Sequence, residues 1–220
     1  MQSPPFHSRD SLLQSQATIM ENLMRCTQTF SKNVLGLIMA LPQESQNHFE
    51  NHKIEVRYSG IGKINAAALT TELILQKKVQ HILNLGTAGS QKFAKGTLVE
   101  CSGFVQRDMN MTMFGIPHGI NPFEKETTLI RAISLFPDLP QGICGTGDLI
   151  EPFPTKVSCD LVDMEAYAIA KICRKWNVGF TSVKYITDGS DANVKNDWHE
   201  SLTSAPQSLI QIYHRIASAD

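Results

Sequence analysis

Apolar segments of two kinds alternate along most of this 220-residue chain, and their alternation constrains the fold more than any other feature. Strand-like runs lie at residues 33–40, 81–85 and 180–187, and segments with apolar residues at helical spacing lie at 65–77 and 163–176. Such alternation is typical of α/β proteins. We therefore predict a three-layer α/β/α sandwich around a central mixed, largely parallel sheet.

The chain is long enough for one substantial core, and its first residues differ in composition from the rest. Residues 1–31 are rich in Ser, Gln and Thr, and they carry apolar side chains at loosely helical spacing. These apolar residues are Leu12, Leu13, Ile19, Leu23 and Met24. We predict an N-terminal extension with one amphipathic helix over residues 1–31, followed by a single domain over residues 32–220.

Charge and cysteine content exclude several classes of protein. The 20 basic and 21 acidic residues leave a net charge of −1, which argues against nucleic-acid or anionic membrane partners. No apolar run approaches the roughly 20 residues that span a bilayer, and the N-terminus lacks a signal-peptide pattern. Five scattered cysteines without a CxxC pair argue against disulfides and zinc. These features predict a cytoplasmic protein.

Two acidic residues stand where a soluble fold would not ordinarily place them. Glu165 precedes a small apolar run, and Asp188 closes the strand-like run at 180–187. A carboxylate at the carboxyl end of a parallel strand faces the crevice in which α/β sheets bind ligands. Burying it is costly unless it is paired, and a polyol such as ribose would suit Glu165. The alternative for Glu165 is a buried ion pair with Lys171 or Lys184.

Four segments are predicted to meet at this crevice because each follows or closes a strand. They are residues 40–44, the small-residue turn 86–89, and residues 162–165 and 186–188. Together they would supply the carboxylates of Glu44, Glu165 and Asp188, the hydroxyl of Thr87 and several backbone amides. The set contains no evident nucleophile and no metal cluster. It suits general acid and base catalysis on a neutral substrate.

Five motifs in this order resemble the 5′-methylthioadenosine/S-adenosylhomocysteine nucleosidases, within the nucleoside phosphorylase/nucleosidase superfamily. They are IMALPQE at 38–44, SGIGKINAA at 59–67, NLGTAG at 84–89, VDMEA at 162–166 and VKYITD at 183–188. The resemblance runs from about residue 33 to the C-terminus. It implies hydrolysis of an N-glycosidic bond through an oxocarbenium-like transition state, with no cofactor and no metal.

The resemblance also implies roles for individual residues. Asp188 matches the aspartate that protonates N7 of the purine, and Glu44 matches the glutamate that deprotonates the attacking water. Glu165, with the backbone of Met164, matches the group that binds the ribose hydroxyls. The turn beside the ribose and the water is matched by Thr87, Ala88 and Gly89. A homodimer is the usual form of the family, with the neighbouring subunit completing the pocket for the 5′ substituent.

Other positions depart from the family or allow a second interpretation. Leu149 and Ile150 stand where an aromatic residue usually stacks on the purine, so the base would lie between aliphatic groups. Met113 and Phe114, in a Met-rich loop, match the lining of the 5′ pocket, although simple loop packing is an equal alternative. Trp198 matches an aromatic residue on a flap over that pocket, or it makes only a capping contact with the C-terminal helix.

The choice of nucleophile depends on residues that are missing from the motifs. Phosphorolytic relatives carry an arginine in the strand before the small-residue turn, where this chain has Asn84. Asn84 lacks the cationic fork that suits phosphate, and Glu44 would repel it. Water is therefore the predicted nucleophile. The alternatives are a futalosine-type or other purine nucleoside hydrolase, a phosphate-dependent phosphorylase, and a non-catalytic nucleoside-binding homologue.

Overall fold

The computed structural model describes residues 29–124, 128–150, 153–189 and 194–217, with the side chains of residues 194 and 195 left out. These residues include the strands of one sheet, which we number along the chain. The strands are β1 (Leu35–Met39), β2 (Arg57–Tyr58), β3 (His81–Gly89), β4 (Leu98–Gln106), β5 (Ile130–Arg131), β6 (Gln141–Thr146), β7 (Leu161–Asp163) and β8 (Gly179–Asp188).

The helices are numbered in the same way. They are α1 (Pro42–Ser45), α2 (His48–Asn51), α3 (Lys63–Glu72), α4 (Ala166–Trp176), α5 (Val194–Ser201) and α6 (Ala205–Ile216). A π-helical turn at Leu73–Lys77 extends α3, and a 3-10 turn lies at Thr112–Phe114. Among the described residues, no helix has the length and apolar character needed to cross a bilayer.

The strands form a mixed, largely parallel sheet, as the sequence predicted. Its order is β2-β1-β3-β7-β6-β4-β5, and β8 pairs with both β3 and β4. The β3–β8 and β4–β6 pairs are parallel, whereas β4–β8 and β3–β7 are antiparallel. Because β7 also pairs with β6, the strands β3, β8, β4, β6 and β7 close into a ring. The apolar patterns of the sequence did not indicate this closure.

Helices cover both faces of the sheet. Leu37 and Met39 of β1 pack in one apolar cluster with Phe49 of α2 and Leu209 of α6. Ile38, between them in sequence, points to the opposite face, where it joins a cluster that includes residues of α3 and α4. Every residue of β1 is buried. This arrangement is the three-layer sandwich that alternation predicted.

Several predicted element bounds were wrong, and in each case tertiary contacts decide the outcome. Residues 86–89 continue β3 instead of forming a turn, because they pair with residues 184–188 of β8. The helix predicted from Asp163 begins at Ala166, since Asp163 belongs to β7 and pairs with β6. Residues 53–58 alternate between apolar and polar side chains as a strand would, but only β2 within them is a strand. Helix α5 was not predicted at all.

The N-terminal helix that was predicted within residues 1–31 lies outside the described residues, apart from its last positions. Phe30 forms a bridge with Ala217 after α6, and its backbone N–H donates to the carbonyl of Ile216 at 2.9 Å. Its ring stacks on His81 of β3 with a centroid separation of 4.3 Å. The described chain therefore starts on the face of the sheet that carries α6.

Candidate active site

The candidate site lies where β1, β3 and β8 end at the same edge of the sheet. These three strands are neighbours and parallel, so their carboxyl ends coincide. Gly89 of β3 stands opposite Asp188 of β8 in the register. Helix α1 follows β1 after two residues and brings Glu44 to this edge.

The buried carboxylate of Glu44 is held by four hydrogen bonds from the protein. Its Oε2 accepts from the backbone N–H groups of Ala40 and Leu41, each at 3.1 Å. Its Oε1 accepts from the backbone N–H of Thr87 at 2.8 Å and from the Thr87 hydroxyl at 2.9 Å. A Cβ at Gly86 would stand 3.0 Å from Oε1, so a larger residue there would crowd the carboxylate. The motif NLGTAG thus serves as a strand that binds Glu44.

Asp188 is the last residue of β8 and is buried. The hydroxyl of Thr187 donates to its Oδ2 at 2.6 Å, and its backbone carbonyl accepts from the N–H of Ser90 at 2.9 Å. These contacts fix the carboxyl at the strand end. Ala88 and Gly89, which the sequence assigned to the same site, are buried beside it in the neighbouring strand.

Glu165 lies between β7 and α4, and it is buried as well. Its Oε1 accepts from the backbone N–H of Gly62 at 2.8 Å, across a separation of 103 residues. Gly62 has φ of 97°, a conformation that favours glycine. Residues 60–63, within the SGIGKINAA motif, form a turn before α3, and the sequence pattern gave no sign that this turn contacts Glu165. Met164 precedes Glu165 and is half-buried.

A buried ion pair that the sequence analysis did not identify lies beneath these carboxylates. Lys184 Nζ stands 2.9 Å from Asp163 Oδ2, and both side chains are almost fully enclosed. Asp163 also accepts hydrogen bonds from the Thr146 hydroxyl at 2.6 Å and from the N–H of Ala166 at 2.9 Å. Lys184 therefore pairs with Asp163, not with Glu165. The other partner considered for Glu165, Lys171, pairs with Glu124.

Burial and the neighbouring charges shift the pKa values of Lys184 and Asp163 in opposite directions. Burial would raise the pKa of Asp163, but the ammonium of Lys184 and the hydrogen bonds hold that pKa below its ordinary value. Burial would lower the pKa of Lys184, but Asp163 and the other acidic groups nearby raise it. The groups that act on Lys184 include Glu165 and Glu44. The buried ammonium of Lys184 thus contacts Asp163 and also stabilises negative charge on Glu165 and Glu44.

The carboxyl group of Glu165 has a pKa well above its ordinary value. Burial, followed by repulsion from Asp163, raises its pKa to about 7. Lys184 and the N–H of Gly62 act against this rise, and Glu44 adds to it. The carboxylate form, which accepts hydrogen bonds from sugar hydroxyls, therefore becomes the major form only above about neutral pH.

This shift predicts a pH-dependent loss of stability. The unfolded chain releases the Glu165 proton near pH 4.5, whereas the folded protein keeps it to about pH 7, so stability falls as pH rises between these values. The full loss is about 3 kcal/mol. We expect Glu165→Gln to unfold at higher urea concentration than the wild type at pH 8, and at a similar concentration at pH 4.5. Glu55→Gln, at an exposed position, is the control. Parallel pH profiles for wild type and Glu165→Gln would contradict the assignment.

Lys63, at the start of α3, ties two further loops to the Gly62 turn. Its ammonium pairs with Asp108 after β4 and, at 3.1 Å, with Asp148 after β6. Its backbone N–H donates to Asp148 Oδ1 at 2.9 Å, and the N–H of Asp148 donates to Asp108 Oδ2 at 2.8 Å. Burial would raise the pKa of Asp108, but the bond from Lys63 and the backbone donors hold it below its ordinary value. The sequence analysis missed this cluster.

The predicted pocket residues lie on the loops that Lys63 joins. Leu149 and Ile150 directly follow Asp148, and their side chains are exposed. Met113 is 97% exposed and Phe114 is 76% exposed on the loop that follows Asp108. At this exposure, neither Met113 nor Phe114 is packed into the interior of the described chain.

Trp198 lies on α5, and its indole N–H donates to the hydroxyl of Thr87 at 3.2 Å. It therefore contacts the candidate site directly, and the alternative of a capping contact alone is wrong. The remaining predicted site residue on β3, Thr87, is thus in contact with both Trp198 and Glu44. The geometry brings together groups that could handle protons on a neutral ligand.

Comparison with known proteins gives a family and several relatives. A family model described as the phosphorylase superfamily matches residues 46–218. The chain is 28% identical to the 5′-methylthioadenosine/S-adenosylhomocysteine nucleosidase of Buchnera aphidicola subsp. Baizongia pistaciae, covering 81% of this chain and 88% of the relative. It is 32% identical to the same-named protein of Buchnera aphidicola subsp. Acyrthosiphon pisum (strain Tuc7), covering 70% and 75%.

Solved structures with a similar fold include two from Helicobacter pylori. One is a mutant nucleosidase with 5′-methylthioadenosine in its active site, with a TM-score of 0.75 and 22% identity over 83% of this chain and 97% of that one. The other is a futalosine hydrolase, with a TM-score of 0.74 and 20% identity over 86% and 97%. At these identities the structures establish the fold.

Proposed function

Because this chain belongs to the phosphorylase superfamily, we propose that it is a purine nucleosidase that hydrolyses 5′-methylthioadenosine, S-adenosylhomocysteine or both. The products would be adenine and the corresponding thioribosyl sugar. The observation that carries the proposal is that Glu44, Glu165 and Asp188 are all buried and lie around the last residues of β3. Glu44 bonds Thr87, Asp188 stands opposite Gly89, and Glu165 closely follows the strand that pairs with Gly89. The names of the relatives support the same reaction.

In this proposal the leaving group and the nucleophile are handled by different carboxyl groups. Asp188, fixed by Thr187, delivers a proton to N7 of the purine, which makes the base a better leaving group. Glu44 orients a water and accepts its proton as the water attacks the anomeric carbon. Each such positioned group contributes ~10²–10⁴-fold to the rate.

The sugar is held by Glu165 and the backbone of Met164. The hydrogen bond from Gly62 occupies Oε1 of Glu165 and leaves lone pairs of the carboxylate for the ribose hydroxyls. Leu149 and Ile150 would contact the base, and Trp198 would cover the 5′ substituent. The loop bearing Met113 and Phe114 would meet the 5′ group of a neighbouring subunit.

The environment of Asn84 supports water over phosphate as the nucleophile. Its side-chain amide donates to the carbonyl of Ile38 at 3.2 Å and accepts from the Ser182 hydroxyl at 2.9 Å, so it links three neighbouring strands. The guanidinium of Arg107, which is also buried, donates to the carbonyls of Gly145 and Leu149. Neither residue presents the cationic fork that phosphate prefers.

A product assay tests the reaction directly. Purified protein would be incubated with 5′-methylthioadenosine, with and without inorganic phosphate, and free adenine would be measured by chromatography. Equal adenine release in both conditions is the expected result. Release only with phosphate would establish a phosphorylase. Release from futalosine but not from 5′-methylthioadenosine would assign the substrate to that class, and no release from any purine nucleoside would favour a binding protein.

We also infer a homodimer, because exposed apolar side chains cluster in sequence around the loops that Lys63 joins. They are Ile61, Ile64, Met113, Phe114, Leu149 and Ile150. Light scattering is expected to give twice the 24.4 kDa chain mass. Phe114→Glu is expected to shift the protein toward monomer, since a charge would replace an apolar contact. A monomeric wild type would contradict the inference, and deletion of residues 1–28 would test whether the extension contributes.

A further inference from the structure

A continuous chain of hydrogen bonds runs from helix α5 to the carboxylate of Glu44. The indole N–H of Trp198 donates to Thr87 Oγ1 at 3.2 Å, and the Thr87 hydroxyl donates to Glu44 Oε1 at 2.9 Å. The backbone N–H of Thr87 donates to the same oxygen at 2.8 Å. Thr87 is therefore the link between a surface helix and the general base of the proposed reaction.

The direction of the hydrogen bonds from Trp198 to Glu44 is fixed by the groups at the two ends. An indole nitrogen can only donate, and an ionised carboxylate can only accept. The hydroxyl of Thr87 has one proton, so accepting from Trp198 leaves that proton for Glu44. Successive bonds of this kind polarise and strengthen one another, so the contact with Trp198 also strengthens the contact with Glu44.

Of the four donors to Glu44, only the Thr87 hydroxyl can turn away. The other three are backbone N–H groups of Ala40, Leu41 and Thr87, whose positions are set by the fold. A hydroxyl rotates freely unless a second partner orients it. Trp198 supplies that second partner. The rotational state of one hydroxyl therefore depends on the position of α5.

Among the described side chains of helix α5, residues 196–201, Trp198 is the one large apolar side chain, and ion pairs and a hydrogen bond attach the helix to the domain. Lys95 stands 3.2 Å from both Asp197 and Glu200, and the hydroxyl of Ser201 donates to the carbonyl of Thr187 at 3.1 Å. Exposed ion pairs of this kind contribute little to stability. Elements with few buried apolar contacts are those that open most readily. We call α5 seated when Trp198 donates to Thr87, as it does here, and displaced when that hydrogen bond is broken.

We propose that Trp198 is a positioning residue that couples the seating of α5 to the orientation of Glu44, through the hydroxyl of Thr87. The proposal rests on the proposed function, because it assigns Glu44 the activation of water. When α5 is seated over a bound nucleoside, the Thr87 proton is directed to Glu44 and the carboxylate is held in one orientation. When α5 is displaced, Thr87 loses its donor and the carboxylate loses this restraint.

Trp198→Phe tests the proposal, because it removes the N–H donor and keeps a smaller aromatic ring at this position. One neutral hydrogen bond is worth about 1 kcal/mol, so we expect kcat to fall about fivefold with KM changed less than twofold. Trp176→Phe, at the exposed end of α4, is the matched control and should leave both constants unchanged. A rise in KM with kcat unchanged would show that Trp198 only contacts the substrate, and it would overturn the proposal.

A double-mutant cycle separates this link from two independent effects. If Trp198 acts on Glu44 only through Thr87, Trp198→Phe should cause no further loss of kcat in a Thr87→Val background. The hydroxyl that joins the two residues is already absent from that background. Thr87→Ser, which keeps the hydroxyl, should retain the sensitivity to Trp198→Phe. Additive losses in the double variant would overturn the coupling.

A spectroscopic readout tests the contact even if the proposed function fails. The sequence contains two tryptophans, so the Trp176→Phe protein has a single indole N–H resonance, that of Trp198. We expect Thr87→Val in this background to shift that resonance upfield and to speed its exchange with water. An unchanged resonance would overturn the proposal regardless of activity. A wild type without turnover, combined with a shifted resonance, would reject the function while keeping the contact.

Discussion

Replacing Asp188 with asparagine is expected to lower kcat by ~10²–10⁴-fold, the range that a positioned general acid contributes. Asparagine has nearly the same shape, and its amide oxygen can still accept from the Thr187 hydroxyl, which now bonds Asp188 Oδ2 at 2.6 Å. It has no carboxyl proton to deliver to the purine. The strand end should stay in place while the leaving group loses its proton donor.

Steady-state hydrolysis of 5′-methylthioadenosine and the urea midpoint should be measured on the same preparations. We expect the urea midpoint of Asp188→Asn to match that of the wild type closely, and KM to change much less than kcat. Asp138→Asn is a suitable control, because Asp138 is exposed and pairs with Arg215 on α6. Turnover within a factor of a few of the wild-type value would remove Asp188 from the role of acid.

Removing the ammonium of Lys184 is expected to have the largest effect on stability of any single change considered. Lys184→Met leaves Asp163 buried without its cation, and breaking a buried pair in this way costs about 3–5 kcal/mol. The side chains of Lys184 and Asp163 are 2% and 1% exposed, so solvent cannot replace the lost partner. Urea unfolding followed by circular dichroism would measure the loss.

Two further variants show whether the loss of stability in Lys184→Met arises from the unpaired charge of Asp163. Lys92→Met removes a lysine that is 54% exposed and pairs with Asp160, and we expect a loss of less than about 1 kcal/mol. Adding Asp163→Asn to Lys184→Met should recover part of the stability, because it removes the unpaired charge and keeps an acceptor for the N–H of Ala166. A loss below 1 kcal/mol for Lys184→Met would show that the pair is not a net support of the fold.

The sequence predicted the layers of the fold because β1 and the first half of β3 carry apolar runs, which are typical of strands buried on both faces. It mistook residues 86–89 for a turn because glycine and alanine have low strand propensity. The pairing of this stretch with β8 overrides that preference, and its small residues leave room for the carboxylate of Glu44. Local composition cannot reveal which partner a strand will meet.

Because local composition does not reveal distant partners, only some of the site residues could be predicted from the sequence. Glu44, Glu165 and Asp188 stood out because an acid beside an apolar run is unusual and because the motifs resembled a family. Lys184 lies in an alternating stretch whose polar side chains would face solvent in an open sheet. It is buried because the sheet closes into a ring, in which its ammonium meets Asp163 of β7. Lys63 likewise gained its role from Asp108 and Asp148, which are distant in sequence.

The ring formed by β3, β8, β4, β6 and β7 has a consequence for how the protein behaves at high concentration. A sheet aggregates through its outermost strands, whose unpaired N–H and C=O groups offer a template to another chain. Here the outermost strands, β2 and β5, are two residues each within the described chain. The long strands of the ring have partners along both edges for at least part of their length. Folded copies therefore present little free strand edge to one another within the described residues. They would associate through side-chain contacts instead of backbone pairing.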